Sequence, residues 1–190
     1  MSNPAGIARD YAEALLRKHV GNENLLKHCL ATEAIMRALA RRLGADEEAW
    51  GIAGLLHDLD FEDTKQTPAQ HGLRTAQILA SEGVAPEVIE AVKAHNAEAL
   101  GLERSTRFGH ALAAAESITG MIVATALVYP DRKLAGVKPA SVTKRMKKKD
   151  FARAVNRDII LECEQIGLPL SQFVELSLKA MQGVSAALGL

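Results

Sequence analysis

The stretch Ala49-Trp50-Gly51-Ile52-Ala53-Gly54-Leu55-Leu56-His57-Asp58-Leu59-Asp60 constrains this chain most. Ile52, Leu55, Leu56 and Leu59 recur at the three- and four-residue spacing of a buried helical stripe, and Gly51 and Gly54 leave room for a neighbouring helix. The helix ends by placing an imidazole beside a carboxylate where water is scarce. A carboxylate in such a place needs a partner, and a metal ion satisfies His57 and Asp58 together.

Helical punctuation runs through the rest of the chain, and no stretch alternates with a period of two, so the expected fold class is all-α. Asn3 and Pro4 are expected to start a first helix that ends at His19, and Asn22 to cap a second that runs to Leu43 with Gly44 as its stop. On that second helix His28 shares the stripe of Leu25, Thr32, Ile35, Met36, Leu39 and Leu43 and is read as facing inward. Asp46 caps the central helix, and Phe61 to Gln66 reads as an acidic loop over its end. Thr67-Pro68-Ala69-Gln70 has the form of a capping box, which places His71 in the first turn of the next helix, near the positive end of its dipole. A helix beginning at Pro86 carries His95 on its apolar side. An Ala-rich helix from Ser105 places Glu116 on the face of Leu112, Ala115, Thr119, Ile122, Val123 and Ala126. Ser141, Asn156 and Ser171 are expected to cap three later helices.

With 190 residues and 48% apolar content, one domain with a sizeable core is expected. Lys plus Arg equals Asp plus Glu at 23 each, so no global field draws the chain to nucleic acid or an anionic membrane. The run of Lys144, Arg145, Lys147, Lys148 and Lys149 lacks interleaved aromatics and reads as a solvated face, so a nucleic-acid partner is not expected. Gly109 to Tyr129 is long enough to raise a membrane question, but Glu116 falls in its middle and favours a buried helix. The opening Met1-Ser2-Asn3-Pro4 shows no signal pattern, and Cys29 and Cys163 lie in apolar helical patterns without metal spacing. A cytoplasmic protein with reduced core cysteines is expected.

His28, His57, Asp58, His71, His95 and Glu116 thus come from five helical segments and are all inward or at helix ends. A helical bundle can gather such groups into one interior site. Mixed imidazole and carboxylate ligation suits Fe, Mn, Zn, Ni or Mg and excludes the thiolate class of structural zinc.

These residues resemble the HD superfamily of metal-dependent phosphohydrolases, whose pattern is a His, a His-Asp doublet ending an apolar helix, and a distal Asp. Here the pattern reads His28, then His57-Asp58 in Ala-Gly-Leu-Leu-His-Asp-Leu-Asp, then Glu116 in Ala-Ala-Glu-Ser-Ile-Thr-Gly, where Glu stands in place of the usual Asp. The resemblance covers about residues 22 to 125 and implies a single-domain helical bundle of the HD type, with a C-terminal helical extension over about 130–190. His71 and His95 match the two additional histidines of two-metal members, so one or two divalent ions are implied.

The implied activity is hydrolysis of a small phosphorylated molecule such as a nucleotide by a metal-activated water. Asp58 would bridge two ions, with His28, His57 and Glu116 on one and His71 and His95 on the other. Asp60 and Glu62 are candidates for a proton donor or an orienting partner of a ligand, and Lys65 for a phosphate contact. Two alternatives stay open: a di-iron oxygenase, since such enzymes share the HD scaffold, and a non-catalytic binding or regulatory module in which the distal ligand is lost. The sequence sets no oligomeric state.

Overall fold

The computed structural model describes residues 3–190; Met1 and Ser2 of the opening stretch lie outside the described residues. Among those residues the fold is all-α, with no strand. Four helices frame the interior: α1 (Arg9–His19), α2 (Glu23–Leu43), α3 (Glu47–Leu56) and, after the single turn α4 (Phe61–Thr64), α5 (Leu73–Ser81). Then come α6 (Pro86–His95), the short α7 (Ala97–Leu100) and the 21-residue α8 (Arg107–Leu127). The C-terminal part adds α9 (Pro139–Met146), α10 (Arg157–Leu161), α11 (Leu170–Gly183) and α12 (Ser185–Leu188). One buried apolar cluster runs through all of it, from Ala5 and Leu16 through Ile35, Leu55 and Ile118 to Phe173 and Leu188.

The central packing is α3 against α2, and glycine makes it as close as it is. A Cβ on Gly54 would lie 2.9 Å from the backbone of Thr32 and Glu33, so any side chain there would force the two helices apart. Opposite this contact Glu33 is buried and accepts from the Nε and Nη2 of Arg9, each at 2.9 Å, and from the Nε of Arg37 at 2.9 Å. A carboxylate in this position needs such donors, and these join α1 to α2 beneath α3.

α8 is long and apolar enough to cross a membrane by length and composition, and 61% of its most apolar window is buried within the protein. Its inward residues, Leu112, Ala115, Ile118, Ile122 and Ala126 among them, are core. Cys29 and Cys163 are free and buried, as read from their apolar surroundings.

Several expected boundaries fall elsewhere, each for a local reason. Asn3 does not start α1, because its side chain closes a turn by accepting from the Ala5 amide and donating to the Ile7 carbonyl. Phe61 to Gln66 is not a loop throughout, since its first four residues wind into α4. The capping box at Thr67 does not form: Pro68–Gln70 is a lone 3₁₀ turn, Gly72 adopts φ +86°, and α5 begins only at Leu73. His71 therefore lies in extended backbone before α5 and not in its first turn. Ser141 is inside α9 and bonds the Tyr129 hydroxyl at 2.9 Å, while Ser171 gives no side-chain cap to α11, which starts behind Pro169. Asn22, Asp46 and Asn156 do cap α2, α3 and α10 with their side chains.

Candidate metal centre

The site is assembled where the ends of α3 and α6 meet the first half of α2. His57 is the C-cap of α3, with its ring held by the Gly54 carbonyl, and Asp58 follows it. His95 is the last residue of α6, and His28 projects from the second turn of α2. His71 is brought in by the bend at Gly72, where a Cβ would lie 3.6 Å from the His95 ring. His57, Asp58 and His95 are buried, and His71 and His28 are partly so.

The four imidazoles divide into two pairs about the single Asp58 carboxylate. Oδ2 of Asp58 lies 3.6 Å from Nε2 of His28 and 3.5 Å from Nε2 of His57, and those two nitrogens are 3.1 Å apart. Oδ1 lies 3.3 Å from Nε2 of His71 and 3.5 Å from Nε2 of His95, which are 2.9 Å apart. Each group of three offers ligand atoms within 4.8 Å of one another, a span that a cation could hold.

Counting protons shows which chemistry these atoms suit. His57 Nδ1 is 2.9 Å from the Gly54 carbonyl, an acceptor only, so the ring's proton goes there. Burial drives the His57 pKa down to about 3, which leaves the ring neutral and its Nε2 a bare lone pair. His28 Nδ1 meets Thr119 Oγ1 at 2.9 Å, and Thr119 donates its own proton to the Glu116 carbonyl at 2.6 Å. The hydroxyl therefore accepts from His28, and in the neutral ring Nε2 is again a lone pair. With both rings neutral, two imidazole lone pairs and a carboxylate oxygen face one another, an arrangement that a cation would stabilise.

The second group differs in carrying a proton. Burial disfavours charge on His71, but the carboxylates of Asp58 and Asp60 outweigh it and raise its pKa to about 9. His71 Nδ1–H donates to Asp60 Oδ1 at 2.7 Å, and its Nε2–H points to His95 Nε2. His95 Nδ1–H is taken by the Val92 carbonyl. Burial likewise opposes ionisation of Asp58, yet the surrounding imidazoles hold its carboxyl well below the ordinary range.

The remaining residues expected at the site take distinct places. Asp60 is buried, accepts from the amides of Gly72 and Thr75 at 2.9 Å each through Oδ2, and grips His71 through Oδ1. The start of α5 thus does favour an anion, as its dipole predicts, but that anion is Asp60. Asp60 orients His71, and both of its oxygens are engaged as acceptors. Glu62 accepts from the amides of Gly21 and Asn22 at 2.7 and 3.1 Å, which hold its carboxyl below the usual range and tie α4 to the start of α2. Lys65 is exposed and lines, with Asn22, His28, Asp58 and Glu116, a cleft of about 410 Å³ in front of the centre. Glu116 faces that cleft, but its carboxyl bonds the Ser117 hydroxyl and lies outside both groups of three. Burial raises its pKa above the ordinary value.

Three contributors escaped the sequence. Thr119, singled out only as part of the apolar face of α8, sets the His28 tautomer. Asn96 donates to the carbonyls of Pro68 and His71 and so holds the bend that presents His71. Arg104, buried, gives Nη1 to the carbonyls of Ala94 and His95 at the end of α6, while Glu162 grips its Nε and Nη2 at 2.8 Å each. A helix ending in His-Asn with an arginine nine residues on was the available signal, but neither residue type announces a tertiary partner.

The family profile of the HD domain matches residues 25–126, more than half of the chain. Ribonuclease Y of Nitratidesulfovibrio vulgaris is 30% identical over 99 residues, which cover 52% of this chain and 18% of that protein. Ribonuclease Y 2 of Bdellovibrio bacteriovorus is 27% identical over 112 residues, 59% of this chain and 21% of that protein. The chain therefore spans about a fifth of the length of these curated relatives. No solved structure gives a significant match.

Proposed function

Since this chain belongs to the HD domain family, a superfamily of metal-dependent phosphohydrolases, we propose that it hydrolyses a small phosphorylated substrate such as a nucleotide. The observation that carries the reading is Asp58, whose two carboxylate oxygens each face a separate pair of imidazole nitrogens. His28, His57 and Asp58 would hold one divalent ion, with Glu116 as their distal partner, and Asp58, His71 and His95 a second. Such an ion, when bound, lowers the pKa of water towards about 7 and polarises a phosphoryl oxygen.

The chain's own residues supply the rest. Asp60, Thr119 and the carbonyls of Gly54 and Val92 fix which nitrogen of each ring is free to ligate. Lys65 and the exposed Asn22 and Asn24 at the cleft offer donors to phosphate oxygens. Lys65 is the single Lys or Arg in that lining among the described residues, which fits one phosphate group better than a nucleic-acid backbone. The HD core of about 22–125 would carry the site and the extension of about 130–190 would brace it. Free, buried Cys29 and Cys163 agree with the cytoplasm as its compartment.

The test is phosphate release from a panel of nucleotides and phosphorylated metabolites under Mg, Mn, Fe, Ni and Zn, with metal content measured in parallel. Release that depends on Asp58 supports the proposal. Two irons with oxygen consumption would replace it by an oxygenase, absence of any bound metal by a binding module, and cleavage confined to oligoribonucleotides by a ribonuclease.

A further inference from the structure

His28 is a wall between two unlike cavities. On one side is the polar cleft of Asp58, Glu62, Lys65 and Glu116. On the other, between α2, α8 and the end of α12, lies a cavity of about 440 Å³ that Ala31, Val123, Leu127 and Leu188 make mostly apolar, with Asn24, Lys27 and Thr119 as the polar side chains at its edge beside His28. Asn24 and His28 line both, so the two spaces adjoin beside the candidate metal centre. Leu127 is 51% exposed at the end of α8, and Val123 is only partly covered although it packs on the core. Apolar side chains are kept open to a space adjoining ligand groups, where closing the helices together would have buried them. A cavity of this size suits a ring-sized or short-chain organic body.

We propose that this second cavity receives the carbon skeleton of the substrate, and that the substrate is the phosphate monoester of an apolar aryl or alkyl alcohol. The proposal rests on the hydrolase reading for its chemistry but not for its geometry. With phosphate in the cleft of Lys65, the organic part extends past His28 and Asn24 along α8. A polyol phosphate would strand its hydroxyls against Ala31, Val123 and Leu127, at a cost that an apolar group does not meet. A mostly apolar pocket whose donors Lys27 and Asn24 sit at its rim discriminates by only about ten- to a hundredfold, so the preference is graded.

The experiment uses the full chain with 1-naphthyl phosphate and glycerol 3-phosphate. The expected kcat/KM is at least about tenfold higher for the naphthyl ester. Val123→Phe, which fills the cavity, should lower the naphthyl value about tenfold and leave the glycerol ester within about twofold. Leu127→Gln, at an exposed position that does not threaten folding, should act in the same direction more weakly. Equal rates for the two esters, or equal losses on both in both variants, would overturn the proposal. Equilibrium binding of 1-naphthyl phosphate to the metal-free protein, read by its fluorescence, separates the two claims. Binding that Val123→Phe weakens about tenfold, without hydrolysis of any ester, upholds the cavity and defeats the hydrolase reading. Binding that neither variant changes overturns the cavity whatever the hydrolysis shows.

Discussion

Asp60 and His71 are joined by a 2.7 Å hydrogen bond that fixes one imidazole of the centre from a residue two positions beyond the Asp58 carboxylate that it faces. The same Asp60 closes the start of α5 by accepting from Gly72 and Thr75. Secondary structure and candidate site therefore share one carboxylate.

Asp60→Asn keeps the size but replaces an acceptor by an amide whose NH₂ cannot receive the His71 proton. Divalent-ion affinity, measured by titration calorimetry, should fall about 10- to 100-fold. The melting temperature should fall as well, since the α5 amides lose an ionised cap worth about 1 kcal/mol. Unchanged affinity would make Asp60 a structural cap alone.

Asp58→Ala should remove bound metal as judged by elemental analysis, while far-ultraviolet circular dichroism stays helical. Both groups of three depend on this carboxylate, whereas α3 ends at His57 without needing it. Full metal content in the variant would contradict the proposed ligand set.

Gly54→Ala should destabilise by about 1–3 kcal/mol in urea unfolding, because the new methyl meets the backbone of Thr32 and Glu33 at 2.9 Å. The strain also separates His57 on α3 from His28 on α2, so metal affinity should drop with stability. A variant as stable as the parent would show that the two helices have slack.

Glu162 should contribute to acid sensitivity. Burial raises its pKa, but hydrogen bonds from Arg104 and His110 outweigh burial and lower it below 4.5. A carboxyl with a depressed folded-state pKa stabilises above its unfolded value and loses that contribution as pH falls through the folded one. The parent's melting temperature should therefore decline below about pH 4.5 more steeply than that of Glu162→Gln. Parallel curves would remove Glu162 from the acid limb.

The residues that converge were readable because the inward faces of α2, α6 and α8 follow from apolar spacing, and such spacing survives tertiary packing. His28 and His95 turn inward for that reason and meet His57 and Asp58 at the end of α3, whereas His71 is brought in by the bend before α5. What could not be read is tertiary hydrogen bonding. Thr67 looks like a cap, yet the Gln70 amide that such a cap would serve goes to the Thr67 carbonyl, and the amides at the start of α5 are taken by Asp60 from across the site. Glu33, outside the stripe read for α2 and with Arg37 as its one evident partner on that helix, gives no hint of Arg9. Glu116 is read by its period as pointing into the interior toward the ligands; it faces the cleft instead, and no pattern of residues indicates that its carboxyl turns to Ser117.

Arg104 gives the C-terminal extension a hand on the centre. Glu162 lies outside the part of the chain that matches the HD family, yet it steers the guanidinium that steadies the last carbonyls of α6 and hence His95. If the proposed centre holds its ions, a substitution at Glu162, far outside the ligand set, is a lever on the position of His95.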